Sequence, residues 1–221
     1  MHGALGSAEQ LDLCKAPLSS TFNVHCITFE GHGGIPSDKD FSMELFSQNV
    51  LDYMEENNVS AAHCFGYSMG GYVALTLAGK HPERVLNIIT LGTKFAWSPG
   101  IAAKETKMLN PEVIETKVPH FGKMLSEVHA PLDWKVNMKK TAAMMTRLGA
   151  GDGLSDSDLK QIEHKVTILI GSKDTMVTLE ESARTAALLP NGKSHVLEDV
   201  PHPIEQMNFQ LLLDTLSVIH K

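Results

Sequence analysis

The sequence predicts an α/β fold: a mostly parallel sheet with helices on both faces and a helical lid inserted between two strands. Three observations lead to this prediction. Short apolar runs alternate with longer segments of helical periodicity, which is typical of βαβ units. Residues 94–165 interrupt this rhythm with helical patterns and no convincing strand. A serine flanked by glycines, Ser68, stands between an apolar run and a helical segment.

The individual elements follow from the periodicity of apolar residues and from turn residues at their ends. Strands are predicted at Val24–Phe29, Ala61–Tyr67, Val85–Leu91, Val166–Ile170 and His195–Leu197. Helices are predicted at Met43–Asn57, Gly70–Lys80, Leu179–Leu189 and Pro203–His220. The continuous apolar runs indicate strands that are buried on both faces of the sheet.

The helical interruption divides the chain into two parts. We expect residues 1–93 and 166–221 to form the sheet core, and residues 94–165 to form a lid over its carboxyl edge, where open α/β sheets bind ligands. Methionine and tryptophan side chains of the lid could line an adaptable pocket or, more simply, pack the lid onto the core. These residues are Trp97, Met108, Met124, Trp134, Met138, Met144 and Met145.

Composition limits the class of protein. A chain of 221 residues fits one domain with a small insertion. Its net charge of −7 argues against a nucleic-acid partner, although Lys135, Lys139, Lys140 and Arg147 make the lid locally basic. That basic character could attract an anionic substrate or simply mark a solvated helix face. No apolar run approaches the ~20 residues of a membrane span, so we expect no membrane partner and a cytoplasmic location.

Neither a cofactor nor a metal is expected. The three cysteines, Cys14, Cys26 and Cys64, lack the spacing of a zinc site or a disulfide framework. The glycine-rich turn at residues 31–34 lacks the third glycine of a dinucleotide-binding fingerprint, because Pro36 stands in its place.

The sharpest local signal is Gly66-Tyr67-Ser68-Met69-Gly70-Gly71. A serine in a tight turn from strand to helix needs small residues two positions to either side, since a Cβ there would clash with the turn. Gly66 and Gly70 meet this need, whereas the bare G-x-S-x-G pattern also occurs by chance in ordinary turns. The context of the pattern favours a nucleophilic Ser68.

A serine hydroxyl needs a base, and the base needs an orienting acid. Partners that follow in the order Ser, acid, His point to Asp174, just past a late strand, and to His202, just before the last helix. Asp174 could instead be a plain turn or helix cap. Glu198 and Asp199 are competing carboxylates, but they lie too close to His202 in sequence to reach its far nitrogen easily.

Acyl transfer also needs N–H donors for the oxyanion of the tetrahedral intermediate. The backbone N–H of Met69 directly follows the nucleophile. The second donor is predicted to be the N–H of Ala4, in the early loop His2-Gly3-Ala4-Leu5-Gly6. His2 is interpreted as structural support for this loop.

Together these motifs resemble the α/β-hydrolase superfamily. The resemblance rests on the HGALG loop, FEGHGG at Phe29–Gly34, GYSMGG, GSKD and PHP, and it covers the chain from residue 2 to the end apart from the lid. It is nearest to the small-lidded carboxylesterase-like branch. The resemblance implies that Ser68, Asp174 and His202 form a catalytic triad, with the N–H groups of Ala4 and Met69 as oxyanion hole.

In that superfamily further strands, including a central one, precede the HG loop, and these N-terminal strands are missing from the sequence as it stands. We expect the natural start to lie upstream of Met1, and an intact folded monomer that begins at Met1 would contradict this.

The leading functional hypothesis is a serine hydrolase that cleaves an ester or thioester of a small to medium carboxylic acid, with a small molecule as its partner. One alternative is a lyase or carbon–carbon bond hydrolase that uses the same three residues. Another is a non-catalytic ligand receptor on the same fold. Formation of a homo-oligomer is left open.

Overall fold

The computed structural model describes residues 1–208, 210 and 212–214, and it has the expected α/β architecture. Within these residues four strands form one parallel sheet in the order β1–β2–β3–β4. They are β1 (Ala62–Tyr67), β2 (Val85–Leu91), β3 (Lys165–Gly171) and β4 (Gly192–Leu197). Tyr67 lies opposite Leu91, and Leu91 lies opposite Leu169. The carboxyl ends of three strands are therefore level, and the loops that follow them meet at one edge of the sheet.

The α-helices alternate with these strands. In chain order they are α1 (Asp12–Leu18), α2 (Met43–Glu56), α3 (Met69–Lys80), α4 (Pro99–Thr106), α5 (Pro111–Lys117), α6 (Pro119–His129), α7 (Trp134–Arg147), α8 (Asp156–Leu159) and α9 (Leu179–Leu188). Helix α3 is buried on all sides from Met69 to Ala78, which agrees with its almost wholly apolar sequence. It packs with α2 on one face of the sheet.

The other face of the sheet has its own apolar cluster. Ile89 of β2 and Leu169 of β3 contact Leu11, Leu197 and Ile204 there. Both faces are thus covered, as the continuous apolar runs of β2 and β3 predict. The predicted helices and strands after residue 40 are confirmed to within a few residues as far as β4.

The helices α4 to α8 all lie between β2 and β3, in the stretch for which a lid is predicted. Helices α5, α6 and α7 enclose a small apolar cluster of Ile114, Leu125, Trp134 and Met138. Two other methionines of this stretch, Met108 and Met124, are exposed. This helical stretch therefore uses some of its large apolar side chains for its own packing.

The prediction of a strand at Val24–Phe29 is wrong. This stretch is extended but pairs with none of the described strands. It lies across from β1 over a cavity of about 370 Å³, whose walls include Cys26, Ile27, Ala62 and Cys64. Paired strands lie about 4.8 Å apart, and the cavity holds these two segments too far apart for a ladder of hydrogen bonds.

On this outer edge, β1 forms backbone hydrogen bonds with Met1. The Met1 amino group donates to the carbonyl oxygen of Phe65 at 2.9 Å, and the Met1 carbonyl accepts from the N–H of Tyr67 at 3.0 Å. These two bonds have the pattern of a parallel ladder. They anchor the start of the chain to the end of β1, next to Ser68.

The prediction of a last helix at Pro203–His220 is wrong at its start. Ile204–Gln206 forms a single 3₁₀ turn, and helical residues follow at 210 and 212–214. Residues 209, 211 and 215–221 lie outside the described part of the chain. The carbonyl of His202, just before this turn, accepts a hydrogen bond from the Tyr67 hydroxyl.

The three cysteines are free thiols, as expected. Burial raises the pKa of the Cys14 and Cys64 thiols to about 11, which makes both poor nucleophiles. Among the described helices, none combines the length and the hydropathy needed to cross a bilayer.

Candidate active site

Ser68 occupies a strained turn between β1 and α3. Its φ of +50° and ψ of −115° lie in a region that residues with a side chain rarely adopt. Three bonds hold it there. The Ser68 N–H donates to the carbonyl of Leu91 at 2.8 Å, and the Ser68 carbonyl accepts from the Thr93 hydroxyl at 2.9 Å and from the N–H of Gly71 at 3.1 Å. The Ser68 hydroxyl does not cap α3, although it stands at the N-cap position. The turn therefore presents this hydroxyl to the carboxyl edge of the sheet.

The glycines around Ser68 are required by close contacts. A Cβ on Gly66 would overlap the backbone of Gly70, and a Cβ on Gly70 would lie 2.5 Å from the carbonyl oxygen of Met1. Gly71, to which the sequence assigned no role, packs against Thr90 and Thr93 with no room for a side chain. The close contacts at Gly66 and Gly70 agree with the steric argument made from the sequence.

Asp174 and His202 meet although they are far apart in sequence. His202 Nδ1 lies 2.7 Å from Asp174 Oδ2, and the two side chains are only 9% and 1% exposed. The second carboxylate oxygen, Oδ1, accepts from the backbone N–H groups of Met176 and Val177 at 2.8 and 2.9 Å. Asp174 is thus fixed by three hydrogen bonds and directs one oxygen at the imidazole.

The electrostatics of this pair favour an ionised acid. Burial acts most strongly on the pKa of Asp174 and raises it, but the hydrogen bond and charge of His202, with the N–H groups of Val177 and Met176, outweigh burial. The pKa of Asp174 is lowered in consequence. An ionised Asp174 accepts the Nδ1 proton of His202 and leaves Nε2 as the basic nitrogen.

The competing carboxylates are turned away from the site. Asp199 is exposed and lies 2.8 Å from Lys173, with which it forms a surface ion pair. Glu198 is also exposed. Asp174 is therefore the carboxylate that contacts His202.

Two residues that support the pair were not anticipated from the sequence. The Tyr67 hydroxyl donates to the carbonyl of His202 at 3.0 Å and fixes the loop that carries the imidazole. Gly92 has φ +59°, and a Cβ there would lie 3.2 Å from Asp174 Oδ2 and 3.3 Å from His202 Nδ1. The sequence could have indicated this role of Gly92, because a glycine directly after a strand often marks a close approach of the backbone to a functional group.

The predicted oxyanion donors lie with the nucleophile and the base. Ala4, Ser68, Met69 and His202 all line one cavity of about 50 Å³. Its walls also include large apolar side chains of the core and the lid, namely Met43, Tyr72, Trp97, Met144, Met145 and Leu148. Trp97, Met144 and Met145, from the stretch between β2 and β3, thus line this cavity, whereas Met108, Met124 and Met138 do not.

The early loop that carries Ala4 is held by histidines. His2 is fully buried, donates from Nδ1 to the carbonyl of Gly3 at 2.7 Å, and accepts at Nε2 from the N–H of Phe29 at 3.2 Å. His129 of α6 accepts at Nδ1 from the N–H of Gly33 and donates from Nε2 to the carbonyl of Leu5, both at 3.1 Å. Both rings act as neutral bridges, which agrees with the structural role expected for His2.

A third buried histidine, His32, lies between these two. Its ring centroid is 5.1 Å from that of His2 and 5.8 Å from that of His129. Burial lowers the pKa of His32 to about 3, and burial is also the main cause that lowers the pKa values of His2 and His129. The loop beneath the site is therefore built on three histidines that are neutral at neutral pH.

Charged residues also reach the cavity, and the sequence did not reveal them. Lys94, which follows β2, and Glu105 of α4 both line the cavity wall. No pattern in the sequence connects these two residues, because Glu105 of α4 comes within 3.6 Å of Lys94 only in the folded chain. Within the described part of the chain, no cluster of three or more His, Cys, Asp or Glu side chains is arranged to hold a metal ion.

The chain is similar to known proteins in sequence and in fold. The family model for the alpha/beta hydrolase fold matches residues 1–204. Among curated proteins, the chain is 23% identical over 187 residues to the 2-hydroxymuconate semialdehyde hydrolase of Pseudomonas putida, which covers 78% of this chain and 66% of that protein. It is 29% identical over 157 residues to the pimeloyl-[acyl-carrier protein] methyl ester esterase of Edwardsiella ictaluri, which covers 71% of this chain and 54% of that protein. The chain thus spans about half to two thirds of the length of these relatives.

Solved structures share the fold. The 2-hydroxy-6-oxo-6-phenylhexa-2,4-dienoate hydrolase of a Rhodococcus species superposes with a TM-score of 0.81 at 18% identity, over 100% of this chain and 88% of that one. The enol-lactonase of Burkholderia xenovorans superposes with a TM-score of 0.78 at 18% identity, over 99% and 88% of the two chains. At this identity the likeness shows the fold alone. With the family match over nearly the whole chain, it follows that this protein belongs to the α/β-hydrolase fold family.

Proposed function

We propose that this protein is a serine hydrolase that cleaves an ester or thioester of a small to medium carboxylic acid. One observation carries the proposal: His202, which is hydrogen-bonded to Asp174, lines the same cavity as Ser68, Ala4 and Met69. A nucleophile, a base, an orienting acid and two N–H donors are the parts that acyl transfer needs.

In the first half of the reaction, the Ser68 hydroxyl oxygen attacks the carbonyl carbon of the substrate. His202 Nε2 takes the hydroxyl proton, and Asp174 stabilises the imidazolium that forms. The carbonyl oxygen becomes an oxyanion, which accepts hydrogen bonds from the N–H groups of Ala4 and Met69. The loss of one such donor typically reduces transition-state stabilisation by about 3–4 kcal/mol.

The tetrahedral intermediate then collapses. The bond between the carbonyl carbon and the alcohol or thiol breaks, and His202 returns its proton to the leaving group. A water molecule attacks the acyl-enzyme with His202 again as base, which releases the carboxylic acid and restores Ser68. Each step uses the same three side chains, and no cofactor is required.

A second candidate activity is hydrolysis of a carbon–carbon bond. Two of the relatives above are named as hydrolases of a semialdehyde and of a phenylhexadienoate, and the latter shares the fold over the whole chain. A receptor that keeps the three residues without turnover is the remaining alternative.

The proposal is tested by labelling with a fluorophosphonate, which reacts with activated serines, and by turnover of 4-nitrophenyl butyrate. We expect the wild-type protein to be labelled at Ser68 and to hydrolyse the ester. Ser68→Ala should lose labelling and at least about a thousandfold in turnover, because it removes the proposed nucleophile. Ser20→Ala removes an exposed serine of the loop after α1 and should match the wild type.

The alternatives give different results in the same assays. Turnover of a dienoate without ester turnover would favour carbon–carbon hydrolysis. A wild-type protein that is neither labelled nor active, but binds a ligand, would favour the receptor. Equal labelling of wild type and Ser68→Ala would refute the assignment of Ser68.

A further inference from the structure

Three charged residues meet beside the cavity, and two of them, Lys94 and Glu105, line its wall. The Lys94 ammonium lies 3.6 Å from a carboxylate oxygen of Glu105 and 3.7 Å from one of Glu181. Their side chains are only 15%, 10% and 12% exposed. Charged groups at this depth need hydrogen-bond partners, because burial removes much of the water that would otherwise solvate them.

Glu181 has its partners within the protein. One carboxylate oxygen accepts from the N–H groups of Phe95 and Ala96 at 3.1 and 3.3 Å. The other accepts from the N–H of Thr178 in the capping box of α9. Glu181 therefore fixes the segment after β2, and its carboxylate is satisfied without a ligand.

Lys94 and Glu105 are different. Their mutual distance of 3.6 Å is longer than a hydrogen bond, and neither charged group makes a hydrogen bond to any described residue. Unlike Glu181, both line the cavity that contains Ser68 and His202. The cavity wall thus presents an ammonium donor beside a carboxylate acceptor, and each group can still form hydrogen bonds with a ligand.

The charge balance selects the kind of group that fits there. Two carboxylates surround one ammonium, so a third carboxylate from a ligand would be repelled by Glu105 and Glu181. A ligand ammonium would lie against Lys94. A hydroxyl fits both charged groups, because its oxygen accepts a hydrogen bond from the Lys94 ammonium and its O–H donates one to the Glu105 carboxylate. Because the cavity measures about 50 Å³, short acyl chains are the ones to test first.

We propose that Lys94 and Glu105 form a specificity site for a short acyl group that carries a neutral hydroxyl. This inference rests on the proposed function and adds the class of acyl group to it. The acyl chain is assigned to this cavity because it stays bound to Ser68 after the alcohol or thiol has left. The preferred substrates are then esters or thioesters of short hydroxy acids.

The test compares three N-acetylcysteamine thioesters: butyryl, 3-hydroxybutyryl and succinyl. Release of the thiol gives kcat/KM for each. We expect the hydroxybutyryl thioester to exceed the butyryl thioester about ten- to hundredfold, as hydrogen bonds to two charged groups would give. The succinyl thioester, whose free carboxylate would face Glu105, should be the poorest. Equal kcat/KM for the butyryl and hydroxybutyryl thioesters would overturn the proposal.

Variants separate this site from general damage. Lys94→Met and Glu105→Gln should each lower the hydroxybutyryl to butyryl ratio at least about threefold, because each weakens one of the two bonds. Lys104→Met changes an exposed lysine of the same helix as Glu105 and should leave the ratio unchanged. A ratio that survives both cavity variants would contradict the assignment of Lys94 and Glu105.

Binding to the Ser68→Ala protein distinguishes failure of this inference from failure of the proposed function. Trp97 lines the cavity, so its fluorescence reports occupancy without turnover. A tenfold tighter binding of the hydroxybutyryl thioester, lost in Ser68→Ala/Glu105→Gln, supports the site even if the wild type hydrolyses neither thioester. Equal binding of both thioesters refutes the site, whether or not the wild type is an active esterase.

Discussion

The two ends of strand β1 are packed in opposite ways. At its carboxyl end, Gly66 leaves no space for even one further carbon, and the backbone of Gly70 fills the place of its missing side chain. Along its outer edge, Ala62 and Cys64 border a cavity of about 370 Å³. Tight packing is concentrated where Ser68 is held in a strained conformation, since that strain persists only when its surroundings enforce it. The outer edge holds no strained residue, so substitutions there should change the free energy of unfolding less.

The largest expected effect is on catalysis at the tightly packed end. Asp174→Asn should keep the bonds from Met176 and Val177 but direct an N–H group at His202 Nδ1. The imidazole would then carry its proton on Nε2 and could not accept one from Ser68. We expect kcat for 4-nitrophenyl butyrate to fall about 10⁴-fold, with the free energy of unfolding changed by less than about 1 kcal/mol.

Asp199→Asn is the matched control for this substitution. Asp199 is the rival carboxylate, exposed and paired with Lys173, and it has a positive φ that asparagine tolerates. Its kcat should equal that of the wild type. A similar loss in both variants would contradict the role of Asp174.

The next effect compares the two ends of β1 directly. Gly66→Ala should reduce the free energy of unfolding by about 3 kcal/mol, because its methyl group overlaps the backbone of Gly70. Ala62→Val, four residues earlier in the same strand, adds carbon atoms beside the large cavity and should change it by less than about 1 kcal/mol. Urea denaturation of both variants measures the difference.

Equal destabilisation by the two substitutions would remove the contrast between the ends of β1. A sharper result is a loss of fluorophosphonate labelling in Gly66→Ala under conditions where the variant is still folded. That outcome would show that the packing at Gly66 holds Ser68 in position as well as stabilising the fold.

The smallest expected effect is a decrease in the free energy of unfolding at low pH. Burial lowers the pKa of His32 to about 3, whereas an unfolded histidine has a pKa of about 6.5. Below about pH 6.5 the unfolded chain therefore binds a proton that the folded chain does not, and stability falls as pH falls towards 3. For one such histidine the loss is about 2 kcal/mol at pH 5.

Urea denaturation at pH 5 and pH 7.5 checks this prediction. His32→Phe keeps an aromatic ring beside Phe41 and removes the titrating group, so it should reduce the loss of stability between the two pH values. His81→Gln, which changes a half-exposed histidine, should not. Identical pH dependence in the wild type and His32→Phe would contradict the prediction.

The parts of the fold that could be predicted from the sequence are those with a strong local pattern. Strands β2 and β3 are continuous apolar runs, and α2 has clear helical spacing, so their positions needed no knowledge of the rest of the chain. The Val24–Phe29 run has an equally apolar pattern but no neighbour to pair with. Local pattern indicates that a segment can form a strand, whereas pairing depends on what lies beside it.

The candidate site shows the same division. Ser68, Asp174 and His202 stand at positions where the type of residue, the turn and the order in the chain pointed to them. Lys94 and Glu105 carry no such signal, because they lie in separate segments and meet only through the packing of α4 on the loop after β2.

By itself, the sequence determined the alternation of strands and helices and the turn at Ser68, because each of these depends on residues close together in the chain. It also pointed to the candidate catalytic residues, through the type of each residue, the elements beside it and its order in the chain. The tertiary structure decided that His202 contacts Asp174 and not Asp199, that Val24–Phe29 stays outside the sheet, and that an ammonium and a carboxylate face the cavity. These are matters of distance between segments remote in sequence, and only the packing of the whole chain sets such distances.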